Sequence, residues 1–259
     1  DGYSDFLHGG YGVQVDYNKA GEAAISKMMA SAIYAYRLNV SSEMTAHLAV
    51  QAGYGQRSLR WDELVFASGI DPGTGDPLPP GPPPQDFTGD VSYLDFATGM
   101  LIGYQDKYFF GAAVHHLSQP DISFMGSSEY PLNMKITVHG GANIEGEGRS
   151  RRSYSPSLMI SPNFLYQQQG EYRHLNLGSY FTFEPFVAGI WYHHAFENPD
   201  AMIISLGISQ ERYRIGYSYD YTLSGLSNAT GGAHEISLVW IFDCDKKRKR
   251  SRAIKCPTF

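Results

Sequence analysis

The chain has 259 residues, enough for one β-barrel or two ordinary domains, and its charged fraction of 18% lies below the roughly 25% of typical soluble domains. Aromatic residues reach 14%, and tyrosine is the commonest of them. No run of about 18 apolar residues occurs, which excludes a transmembrane helix. A chain this rich in Tyr and Gly is then either a soluble β-barrel or sandwich, or an outer-membrane barrel. The net charge is −6.

Alternation of apolar and polar residues predicts antiparallel β-strands along most of the chain. The segment 20–32, which read alone could be helical, is assigned to a strand because the period of two continues around it. The sequence begins at Asp1 without Met, and we expect that a secretory leader precedes it. The twelve predicted strands are 11–17, 32–38, 44–54, Tyr93–Gln105, Tyr108–His116, Met134–Gly146, Leu158–Gln167, His174–Phe183, Phe186–Ala195, Ala201–Ser209, Arg212–Thr222 and Ala233–Phe242.

The segment Gln56–Ser92 interrupts this alternation of apolar and polar residues. It contains two proline-rich stretches, Asp71–Pro77 and Leu78–Pro84, which have few backbone donors and favour extended polyproline conformations. A boundary between two domains would have a similar composition. We predict a long surface loop instead, because the same strand pattern resumes on both sides.

The connections alternate between tight turns and long loops. Short periplasmic turns and long external loops are typical of outer-membrane barrels, so the pattern predicts a barrel at residues 1–243, with 56–92 as an extracellular loop. Three connections depart from the alternation, at 146–157, 167–173 and 195–200. The tight turns are Asn39–Glu43, Gln105–Lys107, Phe183–Pro185 and Ser209–Glu211, and the long loops are Gln56–Ser92, Leu117–Asn133 and Thr222–Gly232. We expect partners to bind at Gln56–Ser92, Leu117–Asn133 and Ser224–Gly232.

A basic tail, residues 244–259, follows the last strand and would lie in the periplasm. We predict that its cations bind an acidic periplasmic partner or phospholipid head groups, against the plain alternative of a solvated tail. Cys244 and Cys256 bracket the basic run and either form a disulfide in the oxidising periplasm or remain free thiols. The tail's basic residues are Lys246, Lys247, Arg248, Lys249, Arg250, Arg252 and Lys255.

No motif predicts catalysis, a cofactor or a metal site. Adjacent histidines on a strand point to opposite faces, so neither His115–His116 nor His193–His194 can chelate as a pair. His234-Glu235 lacks the second His of a zinc peptidase. The polar residues expected to face a lumen are Gln14, Asp16, His47, Gln51 and Asp220.

The closing hairpin contains a distinctive set of residues: Arg214, Gly216, Tyr217, Tyr219, Asp220, Thr222, Leu223, Ser224, Gly231, His234 and Glu235. This set resembles the C-terminal signature of the PorP/SprF family, which are outer-membrane proteins of the type IX secretion and gliding machinery of Bacteroidota. The alternating aromatics would then be lipid-facing and not the core of a soluble sandwich.

The resemblance implies a non-enzymatic protein without cofactors. Its expected partners are the periplasmic ring and lipoproteins of the secretion machinery, a secreted surface adhesin, and outer-membrane lipid, but not nucleic acid. The family's N-terminal segment is absent from this sequence, so a complete barrel is expected to have fourteen strands. The alternatives are an outer-membrane porin or small-molecule channel, and a soluble carbohydrate-binding β-protein.

Overall fold

The computed structural model describes residues 2–4, 8–20, 25–65, 69–71, 73–76, 78, 81–126, 129–146, 158–196, 201–223 and 232–241. These residues form fourteen β-strands and one 3-10 helix, Trp61–Glu63. The strands are β1 (Gly2–Ser4), β2 (Gly9–Ala20), β3 (Ile25–Asn39), β4 (Met44–Leu59), β5 (Asp90–Tyr104), β6 (Tyr108–His115), β7 (Lys135–Ala142), β8 (Ile144–Glu145), β9 (Met159–Gln169), β10 (Tyr172–Phe183), β11 (Phe186–Ala195), β12 (Ala201–Ser209), β13 (Tyr213–Thr222) and β14 (Ala233–Trp240).

Apart from β8, which pairs only with β9, the strands pair in chain order along a single path from β1 to β14. β7 and β8 both pair antiparallel with β9 and flank Asn143, which makes them one interrupted strand. β1 has three residues. The remaining twelve long strands are those that the alternation predicts. The two further strands expected for a longer protein stay a prediction.

Several strands are longer than the sequence pattern predicts. The segment 20–32, which read alone could be helical, is strand wherever it is described: Ala20 ends β2, and the residues from Ile25 onward belong to β3. β4 continues to Leu59 and β5 begins at Asp90, so the long loop is shorter than Gln56–Ser92. Gly55 allows this extension, because a Cβ at that position would lie 2.5 Å from the ring of Tyr93. Such close approach is a role that glycine fills in a strand.

The strands expose large apolar side chains on one face. Along β2 the exposed apolar positions are Tyr11, Val13, Val15 and Tyr17, and on β12 they are the even-numbered Ile204, Leu206 and Ile208. On β5 the alternate positions Tyr93, Asp95 and Ala97 are buried. An apolar exposed face opposite a mixed polar face is the pattern of membrane-spanning strands. No described helix is long and apolar enough to cross a membrane.

The chain divides into two compact units. The first comprises 1–37, 48–99 and 114–134 and includes both long loops that precede β7. The second comprises 38–47, 100–113 and 135–259 and includes β9 to β14, which pair in sequence. The assignment of residues 1–243 to one barrel and of 244–259 to a separate tail stays a prediction.

Candidate docking surface

Two loops of the first unit, 60–89 and 116–134, pack against each other, and we call them together the loop layer. A β-bridge joins Phe87 to Met125. Beside it the backbone N–H and the hydroxyl of Thr88 both donate to the carbonyl of Phe124, at 3.0 and 3.1 Å. Gly126 N–H donates to the carbonyl of Asp86 at 2.9 Å. Two of the three loops predicted to bind partners therefore form one surface.

Trp61 fixes the proline-rich loop. Its indole Nε1–H donates to the carbonyl of Gly81 at 2.7 Å, and its ring lies 5.3 Å from the ring of Phe87. Behind it, Leu59 N–H donates to the carbonyl of Gly89 at 2.7 Å and closes the base of the loop. The loop thus has one contact within its proline run, at Gly81, and two beyond it, at Phe87 and Gly89.

A tight turn around Asp71 shapes the first half of this loop. The carboxylate of Asp71 accepts from Gly73 N–H at 2.7 Å, and its carbonyl accepts from Gly75 N–H at 2.8 Å. Gly75 has a φ of 75°, a conformation that glycine adopts without strain. Leu78 N–H then donates to the carbonyl of Gly69 at 2.6 Å. The turn returns the chain toward its base before the proline run.

Asp121 organises the second loop. Its Oδ1 accepts from Tyr130 N–H at 2.8 Å and from Ser123 N–H at 2.9 Å. These backbone donors, Tyr130 first, hold the pKa of the Asp121 carboxyl below its ordinary value of 3.8, because they favour its charged form. Ile122 N–H donates to the carbonyl of Tyr130 at 3.0 Å, and the Ile122 side chain is buried. The loop is therefore a closed, folded hairpin.

A buried aspartate–histidine contact ties the start of the second loop to β5. His116 Nδ1 lies 2.6 Å from Asp95 Oδ2, and the Asp95 side chain is only 3% exposed. Beside it, Leu117 N–H donates to the carbonyl of Phe96 and Ser118 Oγ donates to that of Leu94, both at 3.0 Å. Because a buried polar side chain needs a hydrogen-bonding partner, Asp95 and His116 fix the point at which the loop leaves the sheet.

Arg57 provides the second attachment of this loop. Its Nη1 donates to the carbonyl of Ile122 at 3.3 Å, and its guanidinium lies 5.2 Å from the centre of the Phe124 ring. The sequence analysis did not single out Arg57 or Asp95. The available signal was weak: a lone charge near the end of a strand that otherwise alternates apolar and small residues.

In both pairs of adjacent histidines, a ring lies near another histidine ring. The rings of His115 and His116 lie 6.4 Å apart, and the ring of His193 lies 5.2 Å from that of His174 on the adjacent strand. Within the part of the chain that the structure describes, no group of three or more His, Cys, Asp or Glu residues is arranged to hold a metal ion.

The signature residues of the closing hairpin divide between the two faces of β13 and β14. Tyr217 Oη lies 2.7 Å from His234 Nδ1, and the His234 ring is 4.8 Å from that of Tyr219. On the alternate positions, buried Gly216 is opposite Gly207 on one side and Ser237 on the other. Among the described signature residues, Tyr217, Tyr219 and His234 thus form a cluster that joins the adjacent strands β13 and β14. Arg214, Asp220, Thr222, Leu223 and Glu235 lie along the same hairpin.

Several predicted site residues lie outside the described residues. These are Ser224 and Gly231 of the signature, both cysteines and the whole basic run Lys246–Lys255. The third predicted binding loop, Ser224–Gly232, is described only at Gly232. Of the residues expected to face a lumen, Gln14 donates from Nε2 to Asp16 Oδ2 at 2.8 Å, and both are exposed. That these residues face a lumen stays a prediction.

The fold and its apolar exposed face place the chain among outer-membrane proteins built of antiparallel strands. The model of one family, described as type IX secretion system membrane protein PorP/SprF, matches residues 2–240. The chain belongs to the PorP/SprF family. The predicted family and the predicted all-β class, built of antiparallel strands, are confirmed, and the protein is an outer-membrane component of type IX secretion.

A solved structure to which this chain is similar is the COG4313 outer membrane channel from Pseudomonas putida F1. It is 11% identical, with a TM-score of 0.39, and the alignment covers 90% of this chain and 93% of the channel. No curated protein matches the sequence.

Proposed function

We propose that this chain is a non-enzymatic docking component of the type IX secretion machinery and that its loop layer binds a secreted cell-surface adhesin. The observation that carries the proposal is the mutual packing of the two long loops through the bridge between Phe87 and Met125. Long loops that only solvate a rim do not need backbone pairing, a buried aspartate–histidine contact and an aromatic clamp. A surface that is already folded loses little conformational entropy when it binds.

Purification from native outer membranes tests this proposal. The full-length tagged protein is extracted in mild detergent, and mass spectrometry identifies what is retained. We expect a large secreted surface protein. A variant with the second loop detached, Asp95→Ala, should retain at least tenfold less of it, whereas Ile208→Val on the exposed apolar face of β12 should retain the full amount. Retention of no surface protein contradicts the proposal, and a pure protein that conducts ions steadily in planar bilayers would establish a channel instead.

The basic tail is proposed as a separate, periplasmic contact. Its supporting feature is charge: seven of the twenty basic residues lie between Lys246 and Lys255. A run of like charges binds acidic surfaces, such as a ring protein of the secretion machinery or anionic head groups. Replacing all seven by glutamate should abolish recovery of periplasmic partners but leave the surface protein bound. Unchanged recovery of the periplasmic partners would refute the contact.

A further inference from the structure

The segment 116–125, with which the second loop begins, is held against the polar face of β4 and β5, and we call it the inner strap. The two faces of these strands are distinguished by the positions of their exposed large apolar side chains, which are all even-numbered. They are Leu48, Val50, Tyr54, Leu94, Phe96, Met100 and Tyr104. Arg57 and Asp95, at odd positions, therefore lie on the opposite, polar face. These are the two side chains that hold the strap.

The strap has one attachment at its base and one near its far end. At the base, His116 Nδ1 lies 2.6 Å from Asp95 Oδ2. Near the far end, Arg57 Nη1 donates to the carbonyl of Ile122 at 3.3 Å, and the guanidinium lies 5.2 Å from the centre of the Phe124 ring. Because both anchors belong to the polar face of the sheet, the strap lies across that face.

The far end of the strap is also held by the first loop, 60–89. The hydroxyl of Thr88 donates to the carbonyl of Phe124, and Phe87 forms a β-bridge with Met125. Burial follows these contacts: Ile122 is only 6% exposed and 123–125 are half-buried, whereas 117–119 are exposed. The far end of the strap is therefore packed inside the loop layer.

This arrangement has a consequence for ion passage. In a barrel of membrane-spanning strands, the polar face lines a lumen that water and ions enter. A segment that is fixed across this face narrows the lumen. We infer that the inner strap is a plug, which closes the predicted barrel to ions until its contact with Arg57 is released. The inference goes beyond docking and does not depend on an adhesin.

Two buried polar atoms favour release. Tyr93 Oη and Asp95 Oδ1, both on the polar face of β5, are buried and have no hydrogen-bond partner among the described residues. A buried polar atom without a partner is unfavourable, and water that enters an opened lumen would supply the missing hydrogen bonds. The closed state therefore depends on a few side-chain contacts, and loss of one of them shifts the balance toward the open state.

Ion conduction by the full-length protein in planar lipid bilayers tests the plug. Arg57→Ala releases the strap from the side of the sheet. Phe124→Ala removes the ring beside the guanidinium from the side of the strap and changes no charge. Arg60→Ala is the matched control, because the contact described for its guanidinium is with Glu63 of the first loop. Heat-modified mobility on gels shows whether each purified variant is folded.

We expect the wild type and Arg60→Ala to stay closed, and Arg57→Ala and Phe124→Ala each to raise the mean current at least tenfold. The double variant Arg57→Ala/Phe124→Ala should conduct no more than the more conductive single variant, because both changes release the same contact.

Three results would each overturn the plug. They are a wild type that conducts as steadily as the variants, folded variants as silent as the wild type, and equal opening by Arg60→Ala. If Arg57→Ala does not fold, Phe124→Ala decides the question alone, since it changes a loop side chain and leaves the strands intact.

Discussion

The long loops of the first unit and the short turns of the second are held in different ways. The turn at Tyr104–Lys107 has Gln105 and Asp106 both at a φ of 54°, and it closes through Lys107 N–H to the carbonyl of Tyr104 at 3.0 Å. Backbone hydrogen bonds also join this turn to two neighbouring segments. Gln105 N–H donates to the carbonyl of Glu43, and Asn143 N–H donates to the carbonyl of Lys107.

The loop layer adds side-chain contacts to its backbone pairing. The Asp95 carboxylate, the Arg57 guanidinium and the Trp61 indole each hold a residue at least 20 positions away. The Asp121 carboxylate holds Tyr130, nine positions along the chain. Backbone contacts tolerate most substitutions, but these side-chain contacts do not. The comparison indicates that the shape of the loop surface is specified by sequence, as a binding surface requires, whereas the turns only need to connect strands.

The largest effect is expected at Asp95. Asp95→Ala leaves His116 without its buried partner, and loss of one member of a buried pair costs roughly 3 kcal/mol or more in the free energy of unfolding. Urea titration of the protein in lipid vesicles, followed by tryptophan fluorescence, measures this. The double variant Asp95→Ala/His116→Ala should recover part of the loss, because it removes the orphaned imidazole. Strictly additive losses would show that the two side chains are not coupled.

Arg57→Ala should have a smaller and more local effect. It removes the hydrogen bond to Ile122 and the contact with Phe124, together worth about 1–2 kcal/mol. Hydrogen–deuterium exchange should accelerate at the amides of Ile122 and Ser123, with the amides of β10 unchanged as the internal control. Arg57→Lys keeps the charge without the planar stacking, so its exchange rates should lie between those of the wild type and of Arg57→Ala. If exchange in the second loop does not change, Arg57 does not hold it.

The contacts of the loop layer also show which features could not be predicted from the sequence. The twelve long strands follow from a local period of two, and the family follows from a two-part motif, Arg214–Ser224 and Gly231–Leu238, so both were predictable. The loop layer was predicted only as two separate loops. Arg57 meets Ile122 across 65 positions, and Trp61 meets Gly81 across 20, and no local pattern encodes such pairings. The extension of β4 through Gly55 likewise depends on Tyr93, a residue distant along the chain.

Trp61→Phe tests the contact that holds the proline-rich loop. Phenylalanine keeps a ring beside Phe87 but cannot donate to the carbonyl of Gly81, so the expected loss is about 1 kcal/mol and is confined to the loop. Exchange at the amide of Leu78 should rise severalfold, whereas the urea midpoint of the whole protein should stay within error. A fall in that midpoint would mean that Trp61 supports the sheet and not only this loop.

The smallest effect is the pH dependence of the second loop. The folded-state pKa of Asp121 lies below its ordinary value of 3.8, so its charged form is the one that the loop stabilises. This contribution is fully present above about pH 4 and is lost as the pH falls through the lowered, folded-state pKa. Exchange at Ser123 and Tyr130, corrected for the intrinsic pH dependence, should therefore be constant from pH 7 to about pH 4 and rise only below it. Asp121→Asn retains an oxygen acceptor for both amides and cannot titrate, so its corrected exchange should be faster at neutral pH and flat with pH. If the wild type is equally flat down to pH 2, the Asp121 charge contributes nothing, and Ile122 burial with the bond to Tyr130 suffices to close the loop.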